Sequence, residues 1–198
     1  AFARKYDKEG NHLWTRQFGS SETDVAFGAD ADPTGLYVVG RADGAFPGHT
    51  HAGSADAFIR KYDSEGTEIW SRQFGSPEYG HAFATSVGPT EVIVAGYDPA
   101  LPGQTSLGSG DAFVRAYDKD GNELWTNQFG TVFSESVRGV AVRLDTIYLV
   151  GATQGVLPGQ TSGGSSDAFV AKMIPPDSAT PVPAASAWVL VSTAILLA

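Results

Sequence analysis

The chain has 198 residues, no cysteine, and a net charge of -9 from 13 basic and 22 acidic side chains. That balance opposes binding to nucleic acid or to an anionic membrane surface by nonspecific attraction. The lack of cysteine excludes disulfides and thiolate metal sites and leaves the redox compartment undecided. The 24 glycines do not mark a phosphate loop, because no Gly-rich stretch follows a strand and opens a helix.

Three copies of one segment of 55 or 56 residues run in order, at 1–56, 57–111 and 112–167, and a partial fourth occupies 168–173. Such a period is the signature of stacked supersecondary units, none of which can bury its apolar face alone. From the opening Ala to Gly19, Gly75 or Gly130 the distance is 18 residues, and from there to Gly40, Gly96 or Gly151 it is 21. Only the last leg varies, at 17, 16 and 17 residues, and it carries Phe46-Pro47-Gly48, Leu101-Pro102-Gly103 and Leu157-Pro158-Gly159. Length variation belongs in exposed loops, so this Pro-Gly leg is expected on the surface.

Each copy divides into four strand-like runs, at 57–62, 68–74, 81–87 and 91–95 in the second. The runs are rich in β-branched and aromatic residues, and no segment shows helical periodicity over ten or more residues. Asp7-Lys8-Glu9-Gly10, Asp63-Ser64-Glu65-Gly66 and Asp118-Lys119-Asp120-Gly121 stand between the first two runs. There Asp can cap the turn and Gly can take positive φ, which is a tight hairpin signal. The expected class is all-β, with four antiparallel strands per repeat as in a β-propeller blade. The third run carries Gly28, Ala84 and Gly139 at equivalent places, with Ala26, Ala82 and Val137 two residues earlier, so it is expected to be innermost. Trp14, Trp70 and Trp125, with Phe2, Phe58, Phe113 and Phe169, are expected to fill the space between neighbouring units. A Trp beside an Arg-Gln pair also suits carbohydrate stacking; recurrence at equivalent places favours packing.

Asp56-Ala57-Phe58, Asp111-Ala112-Phe113 and Asp167-Ala168-Phe169, with the three Trp and the three Phe-Gly pairs, resemble the bacterial seven-bladed β-propeller repeat. The match covers residues 1 to about 173. The resemblance implies a propeller in extracellular or envelope-facing bacterial proteins, with no enzyme activity and no fixed active-site residues. Propellers use roughly 4–8 blades. Three and a fraction repeats are therefore expected to close with further repeats lost by truncation or with a second chain.

Residues 174–183 form a proline-rich linker, and 184–198 are an apolar tail without charge. Its fifteen residues fall short of the roughly 20 that cross a bilayer as a helix. The stiff linker sets the tail apart from the repeats, and Trp188 suits a membrane interface. Pro181-Val182-Pro183 ahead of an apolar run resembles the carboxyl-terminal sorting tags of bacterial surface proteins, although Val182 replaces the Glu of one such family and a basic tail is lacking. The resemblance implies a clipped membrane or sorting segment and a protein displayed or released at the cell surface. Packing of the tail on the repeats is the alternative.

Three constellations bear on chemistry. Asp118, Asp120 and Asn122 echo half of a calcium loop, since calcium takes 6–8 oxygens. Thr67 in the second copy and the lack of a distal Glu favour a plain hairpin turn. His49-Thr50-His51 suggests a metal site, but the other copies have Gln104-Thr105-Ser106 and Gln160-Thr161-Ser162, and no third ligand is fixed by spacing. His12, His49, His51 and His81 stand mostly at non-equivalent places without a nucleophile motif, so no catalytic residue and no cofactor are expected. The Phe-Gly loops (20–24, 76–80, 131–135) differ between copies and are expected to share one side with the Pro-Gly loops. That side is the expected binding face for a protein or glycan ligand. The expected role is a non-enzymatic extracellular module for binding, display or scaffolding. The alternative is part of a secreted polysaccharide-active propeller whose catalytic groups lie on other blades.

Overall fold

A computed structural model describes residues 1–144 and 146–175, and in these the protein is all-β, with thirteen strands in four antiparallel sheets. The linker from residue 176 onward and the tail 184–198 lie outside the described residues. The first sheet pairs β1 (Phe2–Tyr6) with β2 (His12–Gln17). The second has the order β3 (Asp24–Asp32), β4 (Gly35–Ala42), β5 (Asp56–Tyr62), β6 (Glu68–Phe74). The third repeats it with β7 (His81–Val87), β8 (Glu91–Asp98), β9 (Asp111–Asp118) and β10 (Glu123–Phe129). The fourth holds β11 (Glu135–Arg143), β12 (Thr146–Thr153) and β13 (Asp167–Met173). The described strands do not close into a ring.

The sheets straddle the sequence repeats: β3 and β4 end the first copy and β5 and β6 begin the second. Every sequence boundary is therefore stitched by a strand ladder, from β4 to β5, from β8 to β9 and from β12 to β13. The run expected to be innermost is a sheet edge, and β3 lies against β7 and β7 against β11. Small residues permit the approach, because a Cβ on Gly28 would stand 2.9 Å from the Phe83 carbonyl oxygen. The contact is fixed by Val87 N–H donating to Asp30 Oδ2 (2.8 Å) and by its equivalent, Val142 N–H donating to Ser86 Oγ (3.1 Å).

Three apolar cores fill the spaces between successive sheets. Trp14 and Ala3 meet Val38, Phe58 and Tyr62 in the first; Tyr37, Ile59 and Trp70 meet Val92, Val94 and Phe113 in the second; Ile93, Val114 and Trp125 meet Leu149, Phe169 and Met173 in the third. The middle strands β4 and β8 serve two cores at once, which is why they read as continuous apolar runs. Full burial of side chains such as Phe58, Phe113 and Ile59 contributes about 1.5–3 kcal/mol each.

The hairpin turns lock one sheet to the next. The Trp14 indole N–H donates to the Ser64 carbonyl (2.9 Å) and that of Trp70 to the Lys119 carbonyl (3.0 Å). Each ring lies against the glycine of that same turn, Gly66 (φ 77°) or Gly121 (φ 82°), where a Cβ would approach the ring to 2.8 or 2.6 Å. Trp in the second run and Gly in the next copy's turn thus form one contact spread over 50-odd residues of sequence.

Candidate functional site on the loop face

Antiparallel order places the β4–β5 and β8–β9 connections at the same end of the sheets as the loops that enter β7 and β11. The two loop sets touch: Ser54 and Ala55 N–H donate to the Glu78 carbonyl, Gly80 N–H to that of Ala55, and Glu135 N–H to that of Gly110. Each Pro-Gly loop is pinned by a buried Phe46, Leu101 or Leu157, and Gly48, Gly103 and Gly159 take φ near 80° in its turn.

Buried polar groups hold this end in shape. Gln73 Oε1 accepts from Phe46 N–H while its amide donates to Asp56 Oδ2 (2.9 Å) and to the Gly44 carbonyl. Gln128 repeats this with Leu101 N–H, Asp111 Oδ2 and the Asp98 carbonyl. Asp56, Asp111 and Asp167 each accept from the backbone N–H four residues upstream, at Ala52, Leu107 and Gly163. Gln73 and Gln128, each just ahead of a Phe-Gly pair, and the Asp of Asp-Ala-Phe are loop supports.

A second carboxylate caps the loop after each Phe-Gly pair, and it changes strand between copies. Asp24 accepts from Ser20 N–H (2.7 Å) opposite Ala42; Glu135 accepts from Thr131 N–H (2.6 Å) opposite Thr153. In the second copy the Asp24 position is Gly80, and Asp98 on the neighbouring strand accepts from Ser76 N–H (3.2 Å). Asp56, Asp98, Asp111 and Glu135 are all essentially inaccessible. Burial pushes the Asp98 and Asp111 carboxyls above their ordinary value, and nearby Glu135 pushes Asp111 further.

The exposed chemistry lies on β3, β7 and β11. Each has a β-bulge at the same place, between Ala26 and Gly28, between Ala82 and Ala84, and between Val137 and Gly139. A bulge leaves one residue unpaired and re-aims its side chain. The unpaired residues are Phe27, Phe83 and Arg138, and they form a row. The Phe27 and Phe83 ring centroids are 5.4 Å apart, and the Arg138 guanidinium carbon lies 4.0 Å from the Phe83 centroid. Arg138 Nε donates to Ser136 Oγ (3.1 Å), which orients the fork. Phe27 is 43% exposed, and Arg138 is exposed. His81 joins the row, 6.2 Å from Phe27 and 5.4 Å from Phe83 by ring centroids. Burial pulls its pKa down, and Arg41 and Arg138 lower it further against the opposing pull of Asp43. The small residues on either side of each bulge mark the place in the sequence, and the large one between them is the residue the bulge turns outward. The signal was the small–large–small triplet recurring at one place in three copies.

The other sequence candidates are drawn into the scaffold. Asp118 Oδ1 accepts from the N–H groups of Asp120 and Asn122, and Oδ2 from the Asn122 amide, so its oxygens close the turn. His49 Nε2 pairs with Ser71 Oγ (2.8 Å), while His51 Nδ1 meets Asp56 Oδ2 (3.1 Å). The two imidazoles therefore serve different partners. Among the described residues no group of three or more His, Asp or Glu side chains is placed to hold a metal ion. Neither a family model nor a curated protein matches this chain.

Proposed function

We propose that the chain is a non-enzymatic ligand-binding module, built as part of an extracellular β-propeller, whose loop face takes an acidic glycan. The observation that carries the reading is the row Phe27–Phe83–Arg138. The two rings, inclined at 50° to each other, give the C–H groups of a sugar an apolar wall, and the guanidinium stacked over Phe83 is a fork for a carboxylate. This cation stands out in a chain of net charge -9. The propeller reading is supported by the side-by-side order of β3, β7 and β11, which become the strands around a common axis when further blades complete the arc. The bulges sit near the loop ends of those strands, so the row belongs to the mouth of that axis. Surface display is the setting we assign, on the apolar sequence of 184–198 and its proline-rich approach.

The test is a glycan panel of neutral and acidic oligosaccharides, read for binding and for cleavage. Binding of acidic members without new reducing ends is expected. Cleavage would replace the reading with a polysaccharide-active enzyme. Loss of no binding after exchange of the Tyr79 and Phe133 loops together with Arg138→Ala would remove the face from the account.

A further inference from the structure

The second and third sheets each hold four strands, and at the loop end where they meet the third carries rings that the equivalent places in the other copies lack. Tyr79, His81 and Tyr97 stand where the first copy has Thr23, Val25 and Arg41 and the third has Ser134, Ser136 and Ala152. His81 and Tyr97 are direct partners across β7 and β8, so their side chains share a face, with ring centroids 6.2 Å apart. Tyr79, two residues ahead of His81, meets its ring edge-on at 6.3 Å. His81 in turn lies 5.4 Å from Phe83, so the cluster continues the Phe27–Phe83–Arg138 row without a break. Tyr79 is 53% exposed, and His81 and Tyr97 are partly exposed. The Tyr97 hydroxyl donates to the Ser109 carbonyl (3.3 Å), and Gly110, having no Cβ, makes room for the ring. The charged residues that the second sheet brings toward His81, Arg41 and Asp43, satisfy each other at two points, Nε to Oδ1 at 2.8 Å and Nη2 to Oδ2 at 3.1 Å. Around Tyr97 the field is negative: burial raises its hydroxyl pKa, and Glu78, Asp98 and Asp111 raise it further.

We propose that Tyr79, His81 and Tyr97 form a second sugar subsite that takes an uncharged pyranose beside the acidic unit held by Arg138, so that the ligand is a heteroglycan in which acidic and neutral sugars are neighbours. This rests on the acidic-glycan reading of the row and adds the neighbouring sugar to it. Tyr and His rings offer an apolar body to the C–H groups of a sugar and a polar tip to its hydroxyls. A carboxylate gains no cation at this end, because the Arg41 guanidinium is committed to Asp43. It would also enter the negative field of Glu78, Asp98 and Asp111, which an uncharged ring does not feel as a net repulsion. The two subsites thus differ in charge and share Phe83, which touches both Arg138 and His81.

The test is calorimetric titration of the full chain with three probes: the methyl glycoside of glucuronic acid, a disaccharide of glucuronic acid and glucose in α- and β-linked forms, and a disaccharide of two glucuronic acids. One form of the mixed disaccharide is expected to bind about tenfold more tightly than the single acid, the gain from one more sugar against aromatic rings. The diacid is expected to show no such gain. Tyr79→Ala should bring the ratio of mixed disaccharide to single acid close to one, and Tyr79→Phe, which keeps the ring, should restore most of it. Tyr79 is exposed, so neither change removes a buried group. Equal affinity for the single acid and both mixed disaccharides, a larger gain for the diacid, or a ratio untouched by Tyr79→Ala would overturn the subsite and leave the acidic-glycan reading standing. Binding of none of the probes would remove both.

Discussion

The carboxylate that changes strand between copies yields a two-residue exchange with a worked sign at each step. Asp98→Ala removes the acceptors for the Ser76 and Ala100 N–H groups, and Ser76 is 1% exposed. An orphaned buried N–H costs about 1–3 kcal/mol. Gly80→Asp alone is also destabilising, because its Cβ would stand 2.4 Å from Asp98 Oδ2 and would add a second buried acid beside the first. Together the two changes rewrite the second copy as the first, where Asp24 opposite Ala42 holds Ser20 N–H at 2.7 Å. Gly80 does not take positive φ, so Asp fits its backbone. The double variant should return to within about 0.5 kcal/mol of the parent, with a coupling of about 2–3 kcal/mol between sites in contact. Urea unfolding followed by tryptophan fluorescence reads this as midpoint losses of about 0.5–1 M for each single variant and recovery for the pair. Additive losses would refute the idea that one carboxylate per loop is what the fold requires.

Gly10 and Gly121 occupy equivalent turns of two copies at φ 85° and 82°, yet a Cβ meets nothing at Gly10 and the Trp70 ring at 2.6 Å at Gly121. Gly10→Ala should therefore cost about 1–2 kcal/mol of left-handed strain alone, and Gly121→Ala a further 1–3 kcal/mol of overpacking; equal midpoints in urea would deny the inter-sheet lock. Because the Asp98 and Asp111 carboxyls are raised by burial, the folded state keeps protons the unfolded state has released. Stability should accordingly fall as pH climbs from about 4 through their folded values, and Asp98→Asn should flatten that slope in pH-dependent denaturation. At Asp32 burial acts upward, but the 2.8 Å bond from Lys119 Nζ, together with those from the Thr34 hydroxyl and N–H, prevails and holds the carboxyl at about 2. Its contribution is full above the ordinary Asp value and disappears as pH falls toward 2. In Lys119→Met the Asp32 carboxyl resonance should titrate at higher pH than in the parent while the Thr34 bonds still hold it down, and an unchanged titration would show that the cation is not a cause.

Much of the framework was legible because each repeat states its own strands. The runs read at 57–62, 68–74 and 81–87 meet β5, β6 and β7 to within a residue, and Asp-x-x-Gly marked the turns. Trp14 and Trp70 lie between sheets as their recurrence implied. Which strands share a sheet was not legible: the repeat begins at Ala57, but nothing local to Asp56-Ala57-Phe58 says that the strand pairs backward with β4. The capping carboxylates were hidden for a related reason, since Gly80 and Asp98 are 18 residues apart and become alternatives only when their strands lie side by side. The row on the bulges escaped because strand reading assumes strict alternation. One extra residue in β3, β7 and β11 breaks that alternation where Phe27, Phe83 and Arg138 stand.

The most direct test of the central claim is calorimetric titration of the chain, and of Phe83→Ala and Arg138→Ala, with an acidic oligosaccharide and its carboxyl-reduced counterpart. The account predicts binding of the acidic form by the parent chain, weakened by salt, reduced about tenfold or more by either substitution, and absent for the reduced sugar. Equal binding of both sugars, or undiminished binding by Arg138→Ala, would contradict it.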